Sequence, residues 1–423
     1  MTFDKLQRPE GTKDYLPQMA AKKRELENKL NQLFMRWGYQ EIITPTFEFY
    51  DLLSAGTEGL QAKMYKFFNR KGEILALRPE MTAPIARIAA TELRGRSLPL
   101  RLCYQSNVFR YETPRAGRKR EFYQAGIELL GIETPLGDAE VIAVAAESLL
   151  ASGLNNFKID IGDVDYFGGI MKAAKMDQRS QAEVRQALSN KNFVKLEELL
   201  ADSELNSQQQ EAILTAQNLR GGLEVIDEAK QLVNNQESLE ALINLEEVYH
   251  DLELLGVSEY ICLDLSVVRS FDYYTGIVFE GYTKDLGYTI CGGGRYDKLV
   301  EKFDYPIPAT GFALGIDRLL LSLDNQGYQF EGSSVDTLLL SSREQKANGF
   351  NLAKKLRQAG ESVELEIYDR KLEKTIDYAV EKNINRLLIV GVEEESIAKS
   401  STIKEVSGLE VREIKLKEVA ENE

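Results

Sequence analysis

Residues 101–110 and 120–130 restrict the fold of this chain more than any other part of its sequence. Both segments alternate side chains in strand fashion, and between them lies a polar loop centred on Gly117. That arrangement predicts an antiparallel hairpin with a long, charged tip. Its strands also carry Arg110, Glu112, Gln124 and Glu128. Arg110 and Glu112, two apart on a strand, share a face, and Gln124 with Glu128 repeats that arrangement on the return strand. Burying such groups is costly unless they are paired or bind something. A ligand-holding hairpin therefore competes with the plainer reading of a solvated charged turn.

The surroundings of the hairpin are legible in outline. Residues 17–37 place Leu26, Leu30, Leu33 and Phe34 at helical spacing. Residues 41–45 and 74–77 read as short strands, the first ended by Pro45, and 138–150 as a helix capped at Gly137-Asp138. Residues 170–255 are rich in Gln, Glu, Asn and Leu with little strand propensity, whereas strand-forming sequence resumes at 260–263. The block is therefore expected to be a helical insertion. Segments 273–279, 287–291 and 311–323 then supply two strands and a closing helix. A linker at 325–334 precedes strands at 335–340, 363–367 and 386–390 that alternate with helices at 344–358 and 371–382, the pattern of a small, mostly parallel α/β domain. Two domains follow, 1–330 and 335–423, of overall α+β class.

Three further stretches carry chemistry. In Leu77-Arg78-Pro79-Glu80-Met81-Thr82, the carboxylate is placed either to hold a substrate amine or to cap the helix starting near Ala83. The triplet Gly292-Gly293-Gly294, leading into Arg295-Tyr296-Asp297, allows close backbone approach or forms a bulge and tight turn. Glycines 311 and 315, ahead of Arg318, mark an anion site at a helix N-terminus. The arginine-rich hairpin tip, Arg118 included, suits a polyphosphate because guanidinium groups bond phosphate oxygens in pairs.

Composition narrows the classes. No apolar run approaches the roughly 20 residues of a membrane span, and residues 1–5 lack a signal-peptide pattern. Cys103, Cys262 and Cys291 are odd in number and scattered, and His250 is the lone histidine, so neither a disulfide framework nor a structural zinc site is expected. A cytoplasmic location follows as an expectation. The net charge of -15 weighs against gripping a nucleic-acid backbone without forbidding it.

Taken in order, these stretches resemble the class II aminoacyl-tRNA synthetase core in its histidyl form. The match runs over 1–330. Residues 9–17 resemble the family's opening segment, 110–128 its motif 2, 311–319 its motif 3, and 268–274 a histidine-pocket segment. The resemblance implies an antiparallel sheet flanked by helices, and roles position by position. Arg110 would hold the ATP α-phosphate, Glu112 the adenine edge and Arg318 the γ-phosphate, with Arg118 in the same phosphate-binding loop. Glu80, Thr82 and Gln124 would hold the histidine amino group. Glu128 and Tyr274 would flank the imidazole, with Tyr273 in the same pocket, and Arg269 would face the carboxylate.

Two branches share this core: the synthetases and the regulatory subunits of ATP phosphoribosyltransferase. Met81 stands where synthetases carry glycine, Ser270-Phe271 replaces a usual Gly-Leu, and segments 81–87, 127–130 and 276–282 also lean to the regulators. The retained Arg110, Glu112, Arg269 and Arg318 lean the other way. The tail resembles an anticodon-binding domain, yet 335–423 holds 15 basic against 18 acidic residues, which reads as a remodelled relic. The expectation is a non-catalytic subunit without cofactor, metal, tRNA or membrane partner. Its homodimeric core would join a short-form catalytic subunit in a hetero-oligomer, with histidine as effector of the first step of histidine biosynthesis. The alternative is a histidyl-tRNA synthetase.

Overall fold

The hairpin forms with Cys103 opposite Ile127 and Phe109 opposite Glu121. The computed structural model describes residues 7–56, 59–113, 119–189, 191–267, 274–284, 286–330, 335–368, 370–390 and 410–413. These belong to two compact units, Met1–Phe330 and Glu331–Glu423.

The first unit is framed by a nine-stranded sheet. In chain order its strands are β1 (Gln40–Glu41), β2 (Leu100–Phe109), β3 (Glu121–Leu130), β4 (Phe157–Asp163), β5 (Arg220–Gly221), β6 (Ile261–Asp264), β7 (Ile277–Thr283), β8 (Cys291–Arg295) and β9 (Ala309–Gly315). In space they run β1-β2-β3-β9-β8-β7-β4-β6-β5. All neighbours are antiparallel except β1 with β2 and β4 with β6. Four helices brace the frame: α1 (Pro17–Arg36), α2 (Thr82–Ala90), α3 (Pro135–Ala151) and α4 (Ile316–Asn325).

Both faces of the sheet are covered. Leu26, Leu30 and Phe34 of α1 and Val141, Ile142 and Val144 of α3 bury Cys103, Ile127 and Phe312. On the opposite face Ile85 and Ala89 of α2 bury Leu102, Tyr104 and Leu130. Successive residues of a strand point to opposite faces, so Leu102, Cys103 and Tyr104 all lie in a core. This is why Leu102–Tyr104 of β2 and the second half of β3 are buried continuously rather than on one face.

Several expectations shift. Helix α3 starts at Pro135 behind Thr134, a proline-first entry. Asp138 is no cap: it is buried and pairs with Arg295 at 2.8 Å. Strands β7 and β8 lie about four residues further along than read, and the glycine triplet is inside β8 rather than in a turn. The strand expected at 41–45 is reduced to Gln40–Glu41. Phe47–Phe49, Lys66–Phe68 and Ile74–Leu77 form a separate small sheet. The insertion comprises helices Val164–Ala173, Gln178–Ser189, Phe193–Ala201, Ser207–Ala216, Glu224–Leu232 and Gln236–Leu254. Their Leu196, Ile213, Ile226 and Leu245 extend the main core.

The second unit has parallel strands Thr337–Ser341, Val363–Leu365, Arg386–Val390 and Glu410–Glu413. Helices Lys346–Gln358 and Leu372–Glu381 connect them. Residues 331–334 of the expected linker lie outside the described residues. Among the described residues, no helix is long and apolar enough to cross a membrane.

Candidate functional site

A cavity of about 550 Å³ is lined by the hairpin, the start of α2, strands β8 and β9, and the start of α4. It has two ends of different chemistry.

Glu128 forms the inner floor. It sits on β3 opposite Gly311 of β9 and is 1% exposed. Thr82 Oγ1 donates to its Oε1 at 3.0 Å, and the Tyr296 hydroxyl donates to its Oε2. A Cβ on residue 311 would lie 1.9 Å from that Oε2, so the carboxylate occupies space that only glycine leaves open. Gly293 in the next strand plays the same part, since a Cβ there would meet Gly311 O at 2.1 Å. Burial pushes the Glu128 carboxyl up to about 8; the nearby Glu80 adds to the rise, and the two hydroxyls oppose it.

Glu80 stands beside it, also buried. Its oxygens accept from the backbone N–H of Thr82 at 2.6 Å and of Ala83 at 2.9 Å, which makes it the cap of α2. Burial raises its carboxyl, while those donors and the Arg110 charge lower it. The two readings of Glu80 coexist, because a capping carboxylate can also border the cavity. Met81 has an ordinary negative φ of -107°. Its side chain is buried with Ile85, Tyr104 and Leu130, so the position places no demand for glycine on the backbone. Gln124 lines the cavity with its buried Oε1 lacking a hydrogen-bond partner. Tyr274 lines it as well. Arg269 and Tyr273 lie outside the described residues, as does Arg118 at the hairpin tip.

The outer end is cationic and already paired. Arg110 and Glu112 stand beyond β2, which stops at Phe109, so the shared strand face expected of them is not formed. Arg110 Nε donates to Pro79 O at 2.8 Å and its guanidinium lies 5.4 Å from the Phe122 ring centre. Glu112 takes an ion pair from Lys63 at 3.0 Å. Arg318, at the start of α4, donates to Thr289 O at 2.6 Å. Its neighbour Asp317 is engaged by Lys119 and by the Tyr15 hydroxyl.

Tyr104, Tyr296, Lys63, Lys119, Tyr15 and Asp317 are site residues to which sequence reasoning assigned no role. Tyr296 had a signal in its place directly after the glycine strand. Lys63 and Lys119 had none, because their partners are 49 and 198 residues away. The whole arrangement offers carboxylates to a ligand's positive groups at the inner end and guanidinium groups to an anion at the outer end.

Comparison with known proteins shows which family shares this fold. The histidyl-tRNA synthetase family matches residues 11–319, and the anticodon binding domain family matches 338–422. An ATP phosphoribosyltransferase regulatory subunit of Moorella thermoacetica is 44% identical over 81% of this chain and 90% of its own. The regulatory subunit of Acetivibrio thermocellus is 39% identical over 97% of this chain and 98% of its own, tail included. A histidine–tRNA ligase of Methanocaldococcus jannaschii is 40% identical over 92% of each. Among solved structures, an ATP phosphoribosyltransferase regulatory subunit/histidyl-tRNA synthetase from Bacillus halodurans superposes with a TM-score of 0.83 at 34% identity, over 92% of this chain and 99% of that one.

Proposed function

Since this chain belongs to the ATP phosphoribosyltransferase regulatory subunits, a branch of the histidyl-tRNA synthetase family, we propose that it serves a separate catalytic subunit as its histidine sensor. It carries no chemistry of its own in this reading. It joins a short-form transferase, supports its activity, and lets histidine restrain the first step of histidine biosynthesis.

The observation that carries the sensing role is the inner end of the cavity. Glu80, Gln124 Oε1 and Glu128 present acceptors to an α-ammonium group and an imidazole within one buried pocket. The ammonium is placed against Glu80 and Gln124, with Thr82 alongside, and the ring between Glu128 and Tyr274. Arg269 and Tyr273 complete the pocket by resemblance, the first on the ligand carboxylate. The outer end supports a core released from adenylation: Glu112 is tied to Lys63 and Asp317 to Lys119. A nucleotide entering the outer end would meet these pairs. A homodimeric core is supported by the small sheet, one face of which carries the exposed Phe47, Phe49 and Phe67, a larger aromatic patch than water-facing strands usually carry.

Sedimentation of the chain with a short-form catalytic subunit tests the reading. A single faster boundary is expected; two independent boundaries at micromolar concentrations would remove it. The second reading, a histidyl-tRNA synthetase, is favoured by Arg110 and Arg318, both lining the cavity. Histidine-dependent ATP–pyrophosphate exchange with charging of tRNA would establish it instead.

A further inference from the structure

Strand β1 accompanies β2 only as far as Cys103, where Glu41 is its partner and Ile42 N adds a bond to Cys103 O. Backbone groups alternate sides along a strand, so Asn107 O and Phe109 N lie further along that same edge. Arg78 covers it. Its Nε donates to Asn107 O at 2.9 Å, and its carbonyl accepts from Phe109 N at 3.0 Å. The same guanidinium donates through Nη1 to Thr44 O at 2.8 Å and Pro45 O at 3.2 Å, and through Nη2 to Asn107 Oδ1 at 3.0 Å. Its backbone N–H donates to Thr46 O at 3.1 Å. The exit from β1, the end of β2 and the crossing into α2 thus meet on one residue, which is 4% exposed. Among the described residues its hydrogen bonds all go to neutral oxygens. Glu48, the acid that acts on it, is ion-paired with Arg87 at 2.7 Å. Burying a guanidinium in this way is costly, and an apolar side chain would also fill the space. That side chain would leave the carbonyls of two segments without the donors that a five-donor fork supplies together.

What Arg78 holds is the amine end of the pocket. Glu80, the cap of α2, follows two residues later along the chain, and Arg110 comes directly after Phe109. Arg110 Nε donates to Pro79 O at 2.8 Å, so the two groups meet across Pro79, and the Arg110 charge acts on the Glu80 carboxyl. Arg78 is not among the residues that line the cavity. Glu128, at the ring end, stands on β3 and takes the Tyr296 hydroxyl from the end of β8, neither of which Arg78 touches. Resting on the histidine reading above, we infer that Arg78 is a positioning residue: without touching the ligand it fixes where Glu80 and Arg110 stand, and so sets the pocket's preference for an amino acid over an imidazole that lacks the amine. A carboxylate recognises an ammonium through a hydrogen bond that weakens steeply with misalignment. Loosening the 78–80 crossing therefore harms the amine contact first, whereas the ring contact rests on β3.

The test is competition calorimetry of the full chain with histidine and with imidazolepropionate, which keeps the ring and the carboxylate but lacks the amine. Arg78→Lys retains the charge, yet one ammonium cannot serve both Asn107 O and the carbonyls of residues 44 and 45. It is expected to lower histidine affinity about tenfold or more, as for one charge-assisted hydrogen bond, and imidazolepropionate affinity by less than about threefold. Asn107→Ala leaves Arg78 in place and removes its Nη2 bond, together with the link from Asn107 Nδ2 to Glu121 at 3.0 Å. It should shift the ratio of the two affinities in the same direction by about threefold, and it decides the question if Arg78→Lys does not fold. A merely structural arginine would lower both affinities equally. An affinity ratio that stays at the wild-type value in both variants overturns the inference and leaves the sensor reading standing. Absence of histidine binding by the wild type overturns both.

Discussion

Gly311→Ala is the sharpest perturbation of the pocket. The new methyl carbon would lie 1.9 Å from Glu128 Oε2, 2.9 Å from Glu128 Cδ and 2.5 Å from Ile127 O. Non-bonded carbon and oxygen need about 3 Å or more, so the carboxylate must retreat by at least about 1 Å. The Ile127 carbonyl belongs to the β3–β9 pairing and retreats less easily. Overpacking of this kind costs about 1–3 kcal/mol. Loss of the Tyr296 and Thr82 bonds to Glu128 adds about 0.5–1.5 kcal/mol each. A destabilisation of about 2–6 kcal/mol is expected, read as a lower urea midpoint at unchanged slope, together with loss of histidine binding. Gly315→Ala is the control, because its methyl would meet nothing closer than Arg318 Cδ at 3.5 Å; it should cost less than about 1 kcal/mol. If Gly311→Ala matches wild type within about 0.5 kcal/mol and binds histidine normally, the floor is not packed as described.

Arg295→Met would strand the buried Asp138 carboxylate, whose Oδ2 now accepts from Arg295 Nε and Nη2 at 3.0 and 2.8 Å. A loss of about 3–5 kcal/mol is expected in urea denaturation, and a loss below about 1 kcal/mol would refute the pair's structural weight. Burial pushes the Asp163 carboxyl up to about 7, above its unfolded value near 4. The folded state then holds the extra proton, so this group's contribution to stability falls as pH rises from about 4 towards 7. Asp163→Asn should therefore gain on the wild type between pH 5 and 7.5, and an equal difference at both pH values would contradict the shift. Met81→Gly removes a side chain buried against Ile85 and Tyr104. It should cost about 3–5 kcal/mol in the same denaturation assay and produce no ATP–pyrophosphate exchange, whereas exchange in the variant would show that Met81 blocks the chemistry.

The hairpin is legible from its two strand-forming runs around a polar loop, although burial on both faces removes the alternation along 125–130, and Glu128 stands out as a charge inside it. Other features needed three dimensions. Of the two readings of the glycine triplet, close backbone approach holds and the turn does not: it is a strand, and a Cβ on Gly293 would meet Gly311 O of β9 at 2.1 Å. Asp138 looked like a cap because it follows a glycine at a helix start, whereas its partner Arg295 is 157 residues on. Arg110 and Glu112 read as sharing a strand face, but the strand ends at Phe109, before both. The Lys63–Glu112 and Lys119–Asp317 pairs carry no local signal at all. They change the reading of the outer pocket more than any motif does. Met81, read as an intrusion on a glycine site, is an ordinary core residue.

Reconstitution with a short-form ATP phosphoribosyltransferase catalytic subunit tests the central claim most directly. Phosphoribosyl transfer is followed with and without this chain and across a histidine titration. The account predicts that adding the chain raises transferase activity, and that histidine suppresses the raised activity in wild type but not in Glu128→Gln. Transferase activity that ignores the chain, beside histidine-dependent ATP–pyrophosphate exchange by the chain alone, would contradict it.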